Sequence, residues 1–231
     1  MTDPVSATLS GPYALRLEEE LAENDEYAAQ KDLILTSGFT TSAEFDAVPV
    51  EVARDTPSSI RNEVITPSSS LTSYKTLPGN YNISPSFTIE MLSSKASLTR
   101  HVIESTDGVN FGEIAYNLSA VALNVLEPAY NLFPTLTVAS GYRPKSACSK
   151  NSLHPSGKCV DIQFLGASKD EYYSYALQLA KVINYDQFIL HYCNYTSSPW
   201  IHISFSGSNN RREVFTYWNN KRYTTGLAKL I

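Results

Sequence analysis

Two histidines and an aspartate are spaced so that they could bind one metal ion. His154 and Asp161 lie seven residues apart in the stretch SLHPSGKCVDI, and His202 follows in WIHIS. Two imidazoles and a carboxylate suffice for a catalytic Zn²⁺ site, because three protein ligands leave a fourth position for water. A His-x6-Asp pair alone is a weak pattern. The alternative is that His202 is a half-buried strand histidine and Asp161 an acid at a strand edge.

Arg143 adds to the metal hypothesis. It belongs to SGYRP, just before the histidine loop, and we expect it at the rim of the same cleft. A guanidinium beside a metal suits the binding of a substrate carboxylate or of a developing oxyanion. Alone it would be interpreted as a surface arginine in an ion pair. His101, in TRHVIE, has no partner at ligand spacing and is interpreted as a surface histidine.

The elements that must position these residues are short strands. Alternation in WIHISF places Trp200, His202 and Ser204 on one face, and the apolar residues between them on the other. Further β-type runs lie at residues 135–144, 187–192 and 212–217. Together with the helices below, they predict an α+β fold whose small antiparallel sheet has flanking helices.

Two helices are predicted beside these strands. Apolar residues from Ile114 to Val125 follow helical spacing, and Pro128 is expected to kink or end that helix. Ser168 and Glu171 form a capping box, which predicts a second helix over residues 168–183.

Residues 1–84 differ in composition from the rest of the chain. A helix is predicted over residues 12–32, and residues 36–84 are rich in Ser, Thr, Pro and Asn, which is typical of a linker or of a segment ordered by a partner. Residues 1–60 carry 12 acidic and 3 basic side chains. We therefore expect a docking arm over 1–84 and a domain over 85–231.

Three further classes of function are not expected from the sequence. It has no concentrated basic patch, as nucleic-acid binding would need, and no apolar leader typical of a signal peptide. It also has no run of 18 apolar residues that could form a membrane span.

The three cysteines, Cys148, Cys159 and Cys193, form no CxxC pair, which argues against a disulfide framework and a thiolate zinc knuckle. Cys159 precedes Asp161 by two residues. It could pack as a small apolar side chain, form a bridge to Cys148, or act as a soft metal ligand. Packing is the favoured interpretation, because a reduced cysteine behaves as a small hydrophobe.

The order of these motifs resembles that of the M15 peptidases, the zinc D-Ala-D-Ala carboxypeptidases and L-alanyl-D-glutamate endopeptidases that cut peptidoglycan stem peptides. SGYR, Ser-x-His-x6-Asp and Trp-Ile-His-x-Ser follow in the family's order, and SFTIEMLSSKASLTRHVIE, NLSAVALNVLEPAY and YDQFIL look like its phage-type branch. The resemblance implies an M15/hedgehog-like fold with zinc held by His154, Asp161 and His202. It further implies that Arg143 binds or polarises the substrate, that Tyr142 and Ser152 line the site, and that Gln187 and Trp200 support it.

The resemblance also implies a biological setting. A phage tail or baseplate component would cleave stem or cross-link peptides of the bacterial cell wall, and residues 1–84 would dock it to other virion proteins. Without a signal peptide it would be made in the host cytoplasm. An endolysin is the alternative setting. Competing hypotheses are an inactive M15-like structural or binding protein of a virion tail, and a metal-dependent adhesion module like the hedgehog signalling domain.

One departure from the family concerns the general base. No acidic residue lies between Asp186 and Glu213, and His191 stands where related phage proteins tend to carry Glu. His191 could act as the base, because a neutral imidazole titrates near the working pH, or it could be a fourth ligand that closes the site. Asp186 could also swing in, but strand alternation places it opposite Gln187.

Overall fold

A computed structural model describes residues 64–74, 77–93, 110–148, 150–192, 198–218 and 222–229. The helix predicted over residues 12–32, the greater part of the predicted arm, Cys193 and His101 lie outside these residues. Within the described ranges, no helix is long and apolar enough to cross a membrane.

Six strands of the described residues form one sheet in the order β1-β2-β4-β3-β5-β6. Their bounds are β1 Leu136–Ser140, β2 Cys159–Phe164, β3 Gln187–Tyr192, β4 Trp200–Ser204, β5 Glu213–Trp218 and β6 Arg222–Thr225. The α+β class is confirmed. The prediction of an antiparallel sheet is wrong in one pairing, because β3 and β5 are parallel and the sheet is therefore mixed. β4 runs antiparallel to β3 and ends at Ser204, and a short connection leads to Glu213 on the other edge of β3. β5 therefore starts at the end of the sheet where β4 stops and runs parallel to β3.

The two faces of the sheet have different environments. On one face, alternate residues of the central strands pack into the main core with the helices; they include Val160, Ile162, Phe188, Leu190, Ile201 and Ile203. The other face carries Asp161, His202 and His191, and a second apolar cluster formed by Ile189, Phe215, Tyr217 and Tyr223. The predicted alternation of WIHISF is thus confirmed, since Ile201 and Ile203 are fully buried in the core and His202 lies on the opposite face.

The first helical region covers α1 (Phe111–Val121), a π-helical turn (Ala122–Leu126) and α2 (Glu127–Leu132). The helix therefore does not end at Pro128. Because proline has no N–H, Pro128 cannot form the helical hydrogen bond to the carbonyl of Asn124, four residues earlier. That carbonyl instead accepts a hydrogen bond from the backbone N–H of Asn184 at 3.3 Å. The π-helical turn immediately before Pro128 accommodates the proline within a continuing helix.

The predicted capping box is confirmed at the start of α3 (Lys169–Val182). The Ser168 hydroxyl accepts from the backbone of Glu171, and the Glu171 carboxylate accepts from the backbone of Ser168 at 2.7 Å. These contacts satisfy backbone donors that the first helical turn leaves without intrahelical partners.

The described residues before position 85 pack on the same body as the residues after it. Leu71, Leu77 and Ile83 belong to the main core cluster. The side-chain amide of Asn124 accepts from the backbone N–H of Ile65 and donates to its carbonyl, both at 2.8 Å. The docking role of residues 1–84 stays a prediction.

Candidate metal centre

The loop that carries His154 is held tightly against α1. His154 begins a short 3-10 turn (His154–Ser156), and its backbone N–H donates to the hydroxyl of Ser152 at 3.3 Å. The turn ends at Gly157, which has a left-handed φ of 69°. A Cβ there would lie 2.9 Å from the carbonyl oxygen of Ile114, so glycine is needed both for the backbone conformation and for the close approach.

The carbonyl of Gly141 sets the tautomer of His154. The Nδ1 of His154 contacts this carbonyl oxygen, which can only accept, so Nδ1 carries the proton and Nε2 carries the lone pair. Such a hydrogen bond from the outer ring nitrogen is what orients a metal-binding histidine. Gly141 directly precedes Tyr142, whose backbone N–H donates to the carbonyl of Leu92 at 2.7 Å.

Asp161 and His202 face each other across the β2–β4 pair. The Nδ1 N–H of His202 donates to Oδ1 of Asp161 at 2.7 Å, and Nε2 of His154 lies 3.4 Å from Oδ2 of the same carboxylate. The structure therefore brings together the three residues predicted as metal ligands. All three are buried, with at most 8% of their surface exposed.

The Nε2 of His154 is buried and makes no hydrogen bond with any described residue. Burial lowers the pKa of His154 below its ordinary 6.5, although Asp161 opposes this shift. Burial also opposes ionisation of Asp161, but the neighbouring His154 and His202 outweigh it and hold the pKa of that carboxyl well below 3.8. A lone pair and a carboxylate oxygen thus face each other in a buried space, an arrangement that a cation satisfies.

Cys159 lies beside the two histidines, in a group of three possible ligands that does not include Asp161. One ligand atom from each of His154, Cys159 and His202 can be chosen so that all three lie within 4.8 Å of one another, so the group could hold a metal ion. No disulfide joins Cys159 to Cys148. The sequence offered only a weak signal for this placement, because the pairing of β2 with β4 and the path of the histidine loop decide it.

Arg143 lies at the edge of the same group. Its guanidinium nitrogen Nη2 is 3.9 Å from Oδ2 of Asp161, and 18% of its side chain is exposed. Its Nε is buried without a hydrogen-bond partner among the described residues. A cation held this close to the cluster and partly open to solvent can bind an incoming anionic group.

His191 lies on the same sheet face, opposite Trp200 in the β3–β4 pair. The two rings stack, with centroids 4.6 Å apart and planes 10° apart. His191 is 1% exposed, and its Nδ1 has no hydrogen-bond partner within the described part of the chain. Burial, with a smaller effect of His202, lowers the pKa of His191 to about 3, so the ring is neutral at pH 7.

The structure places three further residues of the sequence analysis in the core or in other polar contacts. Tyr142 is 1% exposed and belongs to the main core. Gln187 donates from Nε2 to Glu213 at 3.4 Å. Asp186 accepts from Arg211 at 2.6 Å, so the structure gives it an ion-pair partner rather than a place at the metal cluster.

Comparison with protein-family models found no model that matches this sequence, and a search of curated proteins found no match either. The resemblance to the M15 peptidases and their fold therefore stays a prediction that rests on the motifs.

Replacing Gly141 with alanine is expected to weaken zinc binding by about 10- to 100-fold, the usual effect of losing an outer contact of a metal-binding histidine. The new Cβ would collide with the carbonyl oxygen of Leu92, and the resulting shift would move the Gly141 carbonyl away from His154. Competition with a chromophoric chelator measures the change. Gly166→Ala is the matched control, because it introduces strain at a φ of 76° with nothing within 4 Å of its Cβ. Equal losses of affinity in both variants would contradict the prediction.

Proposed function

We propose that this protein is a zinc-dependent peptidase that cleaves peptidoglycan stem or cross-link peptides. The observation that carries the proposal is the buried Nε2 of His154. Its lone pair lacks a hydrogen-bond partner among the described residues and points to the same small space as Asp161 and His202. Two imidazoles and a carboxylate match the ligand set of catalytic zinc.

His154, Asp161 and His202 would hold the ion. Zinc bound there would supply Lewis acidity and a water molecule of lowered pKa. Arg143 would contribute a fixed positive charge beside the reacting carbonyl or a substrate carboxylate. Its partly exposed guanidinium, 3.9 Å from Asp161, supports this role.

The proposal assigns proton transfer to His191. The ring lies on the face of the sheet that carries His202 and is neutral at pH 7, so it has a lone pair to accept a proton. Its pKa of about 3 makes it a weaker base than a histidine tuned near the working pH. We therefore expect slow turnover that persists at mildly acidic pH.

The proposed setting is a phage tail or baseplate, with the bacterial cell wall as the target and residues 1–84 as the attachment to other virion proteins; an endolysin is the alternative setting. This part of the proposal rests on the motif resemblance and on the composition of the arm. Attachment predicts that the full-length chain co-purifies with virion tail proteins and that a chain without residues 1–60 does not. Equal co-purification of both chains would contradict it.

A second candidate function is a metal-binding structural protein that contacts stem peptide without cutting it. The burial of His191 and its stacking on Trp200 favour this candidate, because both restrict the access of a proton acceptor to substrate. The two candidates differ in one measurable property, the release of peptide fragments.

Digestion of purified peptidoglycan by the zinc-loaded chain, followed by mass spectrometry of the soluble products, tests the proposal. We expect cleaved stem or cross-link peptides from the wild-type protein, and at least a tenfold lower rate for His191→Gln with zinc still bound. Glu113→Gln, an exposed change in the first turn of α1, is the control and should keep the wild-type rate. A zinc-loaded wild-type protein that releases no product would overturn the enzyme proposal and leave the structural one.

A further inference from the structure

Cys159 occupies the polar side of β2. Along this strand the apolar residues Val160, Ile162 and Phe164 all pack into the main core, whereas Cys159 and Asp161 share the opposite face. Cys159 is fully buried. This position places the thiol beside two histidines, and its role there needs an explanation.

The geometry of the cluster supplies one. Ligand atoms of His154, Cys159 and His202 lie within 4.8 Å of one another. Nitrogen and sulfur ligands bind zinc at about 2.0–2.1 and 2.3 Å, so two of them around one ion lie roughly 3.5 Å apart in a tetrahedral shell. The group could therefore hold one ion.

A second, independent feature points to a ligand in the same space. The Nε2 of His154, in a side chain that is 3% exposed, has no hydrogen-bond partner among the described residues. The contact of Nδ1 with the Gly141 carbonyl holds the ring, so Nε2 presents its lone pair to this space. This side chain and Cys159 belong to the same group of possible metal ligands.

We propose that Cys159 is a protein ligand of the metal, bound through its sulfur beside His154 and His202. This inference rests on the proposed metal centre at His154, Asp161 and His202. The thiol proton passes to solvent as the sulfur–metal bond forms. Asp161 lies two residues further along the same face and accepts the hydrogen bond from Nδ1 of His202, but it is not among the three mutually close ligand residues.

A sulfur ligand beside two imidazoles would leave one position of a tetrahedral shell for Asp161 or for a water molecule. The sulfur also sets the metal preference. A thiolate favours zinc, cobalt(II) or cadmium over magnesium, calcium or manganese, which carboxylate oxygens bind.

Titration of the metal-free full-length chain with Co²⁺ tests the inference. We expect a visible ligand-field band of a tetrahedral site and an intense near-ultraviolet sulfur-to-cobalt charge-transfer band. Cys159→Ser should lose the charge-transfer band, keep the visible one, and bind Zn²⁺ at least about tenfold more weakly. The matched controls Cys148→Ser and Cys193→Ser should keep both bands.

Each outcome has a distinct meaning. Co²⁺ bound with a visible band but without a sulfur band in the wild-type protein overturns the role of Cys159 and leaves the peptidase proposal standing. No bound Co²⁺ overturns the metal centre and with it the proposed function. X-ray absorption of the zinc-loaded wild-type protein covers the case in which Cys159→Ser fails to fold. One sulfur at about 2.3 Å supports the inference, and a shell of nitrogen and oxygen alone overturns it.

Discussion

Replacing His202 with alanine is expected to weaken zinc binding by on the order of 100-fold and to abolish peptidoglycan cleavage. Zinc sites of four ligands bind with about 10–16 kcal/mol, so one ligand contributes roughly 3 kcal/mol, and each 1.4 kcal/mol is tenfold in affinity. The loss also removes the hydrogen bond from His202 to Asp161 and leaves a buried carboxylate with fewer partners. Isothermal titration of the metal-free chain with Zn²⁺ measures the affinity, and product release measures the activity.

The matched control is His101→Ala, because the sequence predicts a surface histidine there without a ligand role. It should bind zinc and cleave peptidoglycan like the wild-type protein. Circular dichroism establishes that His202→Ala is folded before its affinity is interpreted. A folded His202→Ala protein with unchanged zinc affinity would contradict the metal centre, whatever the activity of either variant.

Replacing Asp186 with asparagine is expected to lower the free energy of unfolding by about 2–3 kcal/mol at pH 7, in a chain without added metal. Only 4% of the Asp186 side chain is exposed, and it accepts hydrogen bonds from the backbone N–H, Nε and Nη2 of Arg211 at 2.9, 3.0 and 2.6 Å. Removing one partner of a buried ion pair costs about 3–5 kcal/mol, and the 31% exposure of Arg211 reduces that figure. Chemical denaturation measures the difference.

The pH dependence of this difference has a defined sign. Burial opposes ionisation of Asp186, but the hydrogen bonds and charge of Arg211 outweigh it and lower its pKa below the ordinary 3.8. A carboxyl with a lowered folded-state pKa stabilises the protein fully above its unfolded pKa, and this contribution disappears as the pH falls through the folded-state value. The gap between wild type and Asp186→Asn should therefore narrow below about pH 4.

Glu213→Gln provides the comparison for this prediction. Glu213 is the second carboxylate on Arg211, at 3.1 Å, but 28% of its side chain is exposed. Partly exposed ion pairs contribute about 0–1 kcal/mol, so the loss should be smaller than that of Asp186→Asn. A gap for Asp186→Asn that stays constant from pH 7 to pH 3 would show that the ion pair is not its source.

Local patterns predicted several parts of this molecule well. The two-residue period of WIHISF predicts which face carries His202, and the Ser168 and Glu171 pair predicts the start of α3; the structure confirms both. Each depends only on residues within a few positions, where backbone geometry restricts the possibilities.

Pairing between distant segments was harder to predict. A short apolar run carries no information about its neighbours in the sheet, so the parallel β3–β5 pair was missed. The passage of the helix through Pro128 depends on Asn184, about 60 residues away in the chain, whose backbone N–H bonds to the carbonyl of Asn124. The burial of His191 likewise depends on a neighbouring strand, whose Trp200 stacks on its ring. This burial lowers the pKa of His191 to about 3.

The sequence alone determines which metal ligands the protein can offer: two histidines, an aspartate and a cysteine at their spacings. The periods of its strands define which faces those side chains occupy. Tertiary structure alone makes Gly141 the partner of His154, brings Cys159 within reach of both histidines, and isolates His191 from solvent. Contacts between segments far apart in the chain set these distances and burials, whereas periodicity acts only within one segment.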